Sequence, residues 1–104
     1  MSAIKHDDSK PKFSNLPQLA LDEIIKGFEA GEIKYGKFNY SEGMDHMRLF
    51  DALQRHARAY LKGEDIDESG VHHLALVACN AMMLLDNIKT GKGEDTRNKI
   101  YQHV

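Results

Sequence analysis

The chain carries one cysteine in 104 residues, no tryptophan and two prolines. A lone thiol, Cys79, cannot close an internal disulfide, so a covalently stapled fold is excluded and a reducing compartment is expected. Charge of one sign is lacking as well. Lys and Arg number 14 against 16 Asp and Glu, for a net charge of -2. A nucleic-acid binder normally shows a basic excess or stripe, so no nucleic-acid partner is expected. Small anionic ligands stay open, because a few local cations suffice for them. Long hydrophobic runs are missing too. The longest, Leu74–Leu85, is interrupted by Asn80 and is too short to span a bilayer. Met1 to Lys12 is polar and lacks the apolar segment of a signal peptide. No membrane partner and a cytoplasmic location are expected.

What the chain does have is helical periodicity. The length suits one domain. Residues 1–15 read as an irregular arm, 16–90 as a helical domain and 91–104 as a polar tail. A first helix is predicted over 17–31, with Leu21, Ile24, Ile25 and Phe28 at helical spacing, Asn15 as cap and Gly31 as stop. The segment Glu32–Gly43, with Tyr35, Phe38 and Tyr40, reads as an ordered loop holding one helical turn. A second helix is predicted over 45–62, with an apolar stripe of Met47, Phe50, Leu53, Ala57, Tyr60 and Leu61, and Gly63 ends it. After an acidic loop, a third helix is predicted over 69–89, capped by Asp67 or Ser69. That helix is apolar nearly all round, which puts it at the centre of its bundle or against a partner subunit. The fold class is therefore all-α: three helices in a small bundle, completed by homo-oligomerisation.

The loop between the second and third helices concentrates the chemistry. His56 precedes it, Glu64 and Asp67 lie in it, and His73 opens the next helix. A short helix–loop–helix draws such residues together. Carboxylate plus imidazole suits Mg, Mn, Zn or Co. The plain alternative is that the acidic residues cap helices. Asn80 shares a helix face with His73, seven residues on; it either lines a site or pins the register of a bundle. Arg55 either pairs with Asp51 four residues earlier or grips a phosphate with its forked donors. Lys34, Lys10 and Lys12 can add charge to an anion site, and Tyr35 or Tyr40 a stacking surface. Glu29 and Glu32 share a helix face at E-x-x-E spacing, a common pattern. Cys79, deep in an apolar run, reads as a small core residue.

Several of these residues stand together in a recognisable order. Lys10-Pro11-Lys12, Pro17 and Gly31-Glu32-Ile33-Lys34-Tyr35-Gly36, with Asn39 and Tyr40, form the first half. Arg55-His56, Gly63-Glu64-Asp65-Ile66-Asp67-Glu68-Ser69-Gly70, His73 and Asn80 form the second. The order resembles the small, mostly phage-encoded family of dATP/dGTP diphosphohydrolase N-terminal domains, over about residues 5–88. The resemblance implies a nucleotide-handling protein that removes pyrophosphate from purine deoxynucleoside triphosphates, in the host cytoplasm if phage-encoded. That family is loosely linked to the all-α MazG-type pyrophosphohydrolases, which hold Mg²⁺ with a helical E-x-x-E and a second E-x-x-D pair. Glu29 and Glu32 match the first pair. His72, His73 and Asn80 stand where the second would be.

The expectation is thus a metal-dependent nucleotide pyrophosphohydrolase. His56, Glu64, Asp67 and His73 would hold a divalent metal, Mg or Mn, and Glu64, Asp67 and His73 would carry catalysis. Lys10, Lys34, Tyr35, Arg55 and Asn80 would bind the purine nucleotide. The alternatives are a non-catalytic nucleotide sponge and a structural helical oligomer.

Overall fold

The computed structural model describes residues 2–97. Met1 of the arm and residues 98–104 of the tail lie outside the described residues. Three helices and no strand are present among them: α1 Gln18–Tyr35, α2 His46–Leu61 and α3 His73–Thr90. Short 3-10 turns at Phe13–Asn15 and Asn39–Glu42 precede α1 and α2. The fold is a small all-α bundle. α3 is its central element, packed by α2 along one side, by α1 on another, and by the 39–42 turn.

The ends of the helices differ from the expected ones for local reasons. α1 passes through Gly31 and stops at Gly36, whose φ of 91° suits a residue without a side chain and whose N–H reaches Glu32 O at 2.9 Å. Asn15 does not cap it. That residue is spent in the 3-10 turn, and Pro17 occupies the cap position without a side-chain bond. α2 opens on Asp45, whose carboxylate accepts from Met47 N–H at 3.0 Å and from the Thr96 hydroxyl at 2.6 Å. His46 adds two ties to the same distal segment, N–H to Glu94 O at 2.9 Å and Nε2 to Lys92 O at 2.9 Å. α3 begins four residues later than expected. Its cap is neither Asp67 nor Ser69 but His72, whose Nδ1 accepts from Leu74 N–H at 3.0 Å.

Two contacts fix the helices against α3. At Gly27 a side chain is missing where one would collide: a Cβ there would stand 2.5 Å from Cys79 Sγ. The thiol donates to Ile24 O at 3.2 Å. Burial pushes it up to about 11. Further along, Asn87 is fully buried with its amide satisfied. Its Nδ2 donates to Tyr40 O and Met83 O, both at 3.0 Å, and its Oδ1 accepts from Met44 N–H at 3.1 Å. One side chain thus pins the loop between α1 and α2 to the central helix.

The stripe expected on α2 is rotated. Leu49 is its buried residue, while Phe50, Tyr60 and Leu61 are exposed. The inward face runs Leu49, Leu53, His56, at steps of four and three, so His56 lies on the stripe that meets α3. The fully buried apolar core is thin: Leu49, Val71, Ala75 and Cys79 among the described residues.

Candidate metal centre

The segment between α2 and α3 is folded back on itself. Asp67 N–H donates to Val71 O at 2.9 Å and Gly70 N–H to Asp67 O at 2.8 Å, with an antiparallel bridge between Ile66 and His72. Gly70 takes the positive φ, 84°, that this tight return needs. The Asp67 carboxylate accepts from Ser69 N–H at 2.9 Å, an Asx turn. Val71 is buried and anchors the clip. His73 N–H donates to Asp65 O at 2.7 Å, which ties the first residue of α3 to the same loop.

The clip carries Asp67 to His73, and the inward stripe of α2 carries His56 to both. The ligand atoms of His56, Asp67 and His73 all lie within 4.8 Å of one another. His56 Nδ1 and His73 Nδ1 stand 2.8 Å apart, so one ring donates its proton and the other accepts. His73 is buried; His56 and Asp67 are half-buried. Burial holds His56 below the ordinary histidine range, with His73 and Arg55 adding to the depression and the Asp67 charge opposing it. Burial would raise Asp67, but the Ser69 N–H and hydroxyl and the two imidazoles outweigh it, and the carboxyl sits below its ordinary value. Both shifts favour a neutral His56 imidazole and an ionised Asp67 carboxylate, the forms that metal binding requires.

The donor set passes a chemical test for a divalent metal. Two imidazoles and one carboxylate suit a transition ion, whereas Mg wants an octahedron of oxygens. Two nitrogens on one tetrahedral ion at about 2.0–2.1 Å stand about 3.3 Å apart, so the rings need to part by only about 0.5 Å. Glu64 is outside the group. It is exposed at the end of α2, its N–H bonded to Ala59 O at 3.0 Å.

The remaining residues singled out in the sequence surround the group unevenly. Arg55 is exposed and, among the described residues, makes no ion pair with Asp51. Lys34 is exposed, 5.2 Å from the Tyr35 ring centroid. The Tyr35 hydroxyl raises its pKa, with the Glu68 and Asp67 charges contributing, so its cation lies within the field of the clip. Lys10 is exposed in the arm. Asn80 is buried and donates Nδ2 to Leu76 O at 2.8 Å, a bond within its own helix. Glu29 and Glu32 are exposed on α1, apart from the group. Sequence reasoning passed over Ser69 as the residue that orients Asp67; the D-x-S spacing of an Asx turn was the available signal.

Comparison with known proteins converges on one family. The family model described as dATP/dGTP diphosphohydrolase, N-terminal, matches residues 2–97. A protein of Salmonella phage PMBT28 named dATP/dGTP diphosphohydrolase is 35% identical over 85 residues, covering 81% of this chain. The match spans 29% of that relative's length. No solved structure matches the chain.

Proposed function

The chain belongs to the dATP/dGTP diphosphohydrolase N-terminal family, and from that premise we propose that it is a metal-dependent pyrophosphohydrolase of purine (deoxy)nucleoside triphosphates. The observation that carries the reading is the convergence of His56, Asp67 and His73 within 4.8 Å. These three residues would hold the ion. A transition ion such as Mn is favoured over Mg by the two imidazoles. When bound, such an ion polarises phosphoryl oxygens and lowers the pKa of a water molecule.

The chain's own residues supply the rest. Asp67, kept ionised by Ser69, and the ring nitrogens of His56 and His73 present an electron-rich face toward the ion. Arg55 and Lys34, both exposed beside the clip, neutralise triphosphate charge, with Lys10 reaching in from the arm. Tyr35, already beside Lys34, offers its ring face to a purine. Asn80 supports the α3 face two turns below His73.

The test is chromatography of dATP, dGTP, ATP and GTP after incubation with the purified protein and Mn²⁺, Co²⁺, Zn²⁺ or Mg²⁺. Monophosphate and pyrophosphate should appear with a transition ion and vanish in Asp67→Asn at unchanged helix content. Equal turnover in that variant would sink the assignment. A second reading is a non-catalytic nucleotide-binding module. It draws support from the 29% of the named relative that the match spans, which leaves room for that protein's chemistry elsewhere. Intact nucleotide recovered bound to the protein, independent of metal and lost in Arg55→Ala, would select it.

A further inference from the structure

The central helix has an uncovered side. α1 meets α3 at Ala75 and Cys79, and the α2 side carries His73, Asn80 and Asn87. At 100° per residue, the opposite sector runs from Ile88 through Ala81, Leu74, Leu85 and Ala78 to Met82, about 120° of the helix. Every one of those side chains is apolar, and Lys89 enters the sector only in the last turn. Leu74, Met82, Leu85 and Ile88 are 45%, 48%, 56% and 51% exposed. Leu74, Ala78, Ala81, Leu85 and Ile88 follow one another at steps of four, three, four and three, the seam spacing of paired helices rather than of a helix against water. A central helix with a wet apolar face inverts the usual order of a bundle.

We infer that this face is a homodimer interface, in which α3 of one copy packs antiparallel against α3 of a second copy about a two-fold axis between Ala78 and Ala81. Three observations carry the choice of occupant. The first is area. The chain exposes 8441 Å², where a folded monomer of 11.8 kDa exposes about 5,900 Å². The exposed arm accounts for part of the excess. The excess leaves room for the roughly 800 Å² per copy that a standard interface removes.

The second observation is the size pattern of the seam. It reads large, small, small, large from Leu74 to Leu85, and it is symmetric about its midpoint. A two-fold interface needs such self-complementarity. The paired alanines let the two backbones approach, and each Leu85 meets the mouth of the groove beside Leu74 on the other copy. That groove, about 570 Å³, lies between α1 and α3 and is lined by Ala20, Ile24, Ile66 and Ala78 as well.

The third is charge. The acidic loop Glu64, Asp65, Asp67 and Glu68 precedes α3, and Lys89 and Lys92 follow its seam, while Asp86 lies on the α1 side of the helix and Asp95 is paired with Arg97. Antiparallel pairing sets the lysines of one copy against the acidic loop of the other. Parallel pairing would stack acid on acid. The helix dipoles favour the same choice.

Sedimentation equilibrium of the full chain tests the interface. The expected mass is twice that of the monomer. Leu85→Glu, a change at a side chain exposed in the single chain, should halve it while circular dichroism keeps the helix content. A monomer mass up to millimolar protein overturns the proposal, as does a dimer that survives Leu85→Glu. Orientation is read by oxidation of mixed variants. Ala78→Cys and Ala81→Cys chains should cross-link to each other far more than either does to itself, with the buried Cys79 silent. Self-cross-linking of Ala81→Cys alone would overturn the antiparallel register.

Discussion

Between His56 and His73 there is room for one proton, since the two Nδ1 atoms stand 2.8 Å apart. A second proton there would set one N–H against another and leave no acceptor for the hydrogen bond. Burial already holds His56 below the ordinary histidine value, so as pH falls the unfolded chain takes up its proton first. The stability that His56 contributes is whole above about pH 6.5 and declines below it. Chemical denaturation between pH 8 and pH 5 should show the decline, and His56→Gln should flatten it. Metal should act in the opposite sense. Mn²⁺ or Zn²⁺ at about 100 times its dissociation constant adds about 2.7 kcal/mol to folding. The accompanying rise in Tm should be absent in Asp67→Asn and weak with Mg²⁺. Gly27 offers a prediction of a different kind. Gly27→Ala places a methyl 2.5 Å from Cys79 Sγ and should cost about 1–3 kcal/mol by overpacking. Combined with Cys79→Ala, which removes the obstacle, it should cost less than the sum of the two single changes, as a denaturation cycle can measure. At this scale the sequence was only partly legible. Asp67, His56 and His73 stood out because a short loop must bring its ends together. Glu64 looked equivalent to them, but the clip turns Asp67 inward and leaves Glu64 at the end of α2. Gly27 and Asn87 carried no signal in one sequence, because their roles are set by what lies across the bundle.

Three helices were readable from 3.6-residue periodicity, and Gly63 was readable as a stop. The inward stripe of α2 was not. Phe50, Tyr60 and Leu61 are larger and more apolar than their neighbours, but Leu49 and His56 face α3, because the clip and Asn87 set the rotation of the helix rather than hydrophobicity alone. Nor was the start of α3 readable. Asp67 and Ser69 are good caps in isolation, but each is consumed in the turn that shapes the clip, and the imidazole of His72 takes the cap position instead. At the far end of α3, Asn87 is the element-scale fastener. Asn87→Leu removes the acceptor of Met44 N–H and the donor to Tyr40 O, two part-buried groups. The expected loss is about 2–4 kcal/mol. Hydrogen exchange at the Met44 amide should accelerate as far as global stability falls or further, and His73 should be perturbed less, since it lies at the other end of the helix.

The whole molecule is long for its size. Its radius of gyration is 17.0 Å, against about 13 Å for a compact chain of this length. A thin core and an extended arm account for that shape, and a monomer built this way sits near the lower end of protein stability. If two copies share the α3 face, Tm should rise with protein concentration, and Leu85→Glu should remove the dependence. The all-α class and the apolar excess of α3 were legible from composition and spacing. Which side of α3 stays wet was not, since it depends on where Gly27 lets α1 cross. That same crossing turns the lone thiol into a clock. Cys79 is shut beneath α1 and its proton is held to about pH 11, so an alkylating reagent can reach it only when α1 lifts away from α3. The rate of its modification under native conditions therefore counts the openings of the bundle one by one, with no label added and no residue changed.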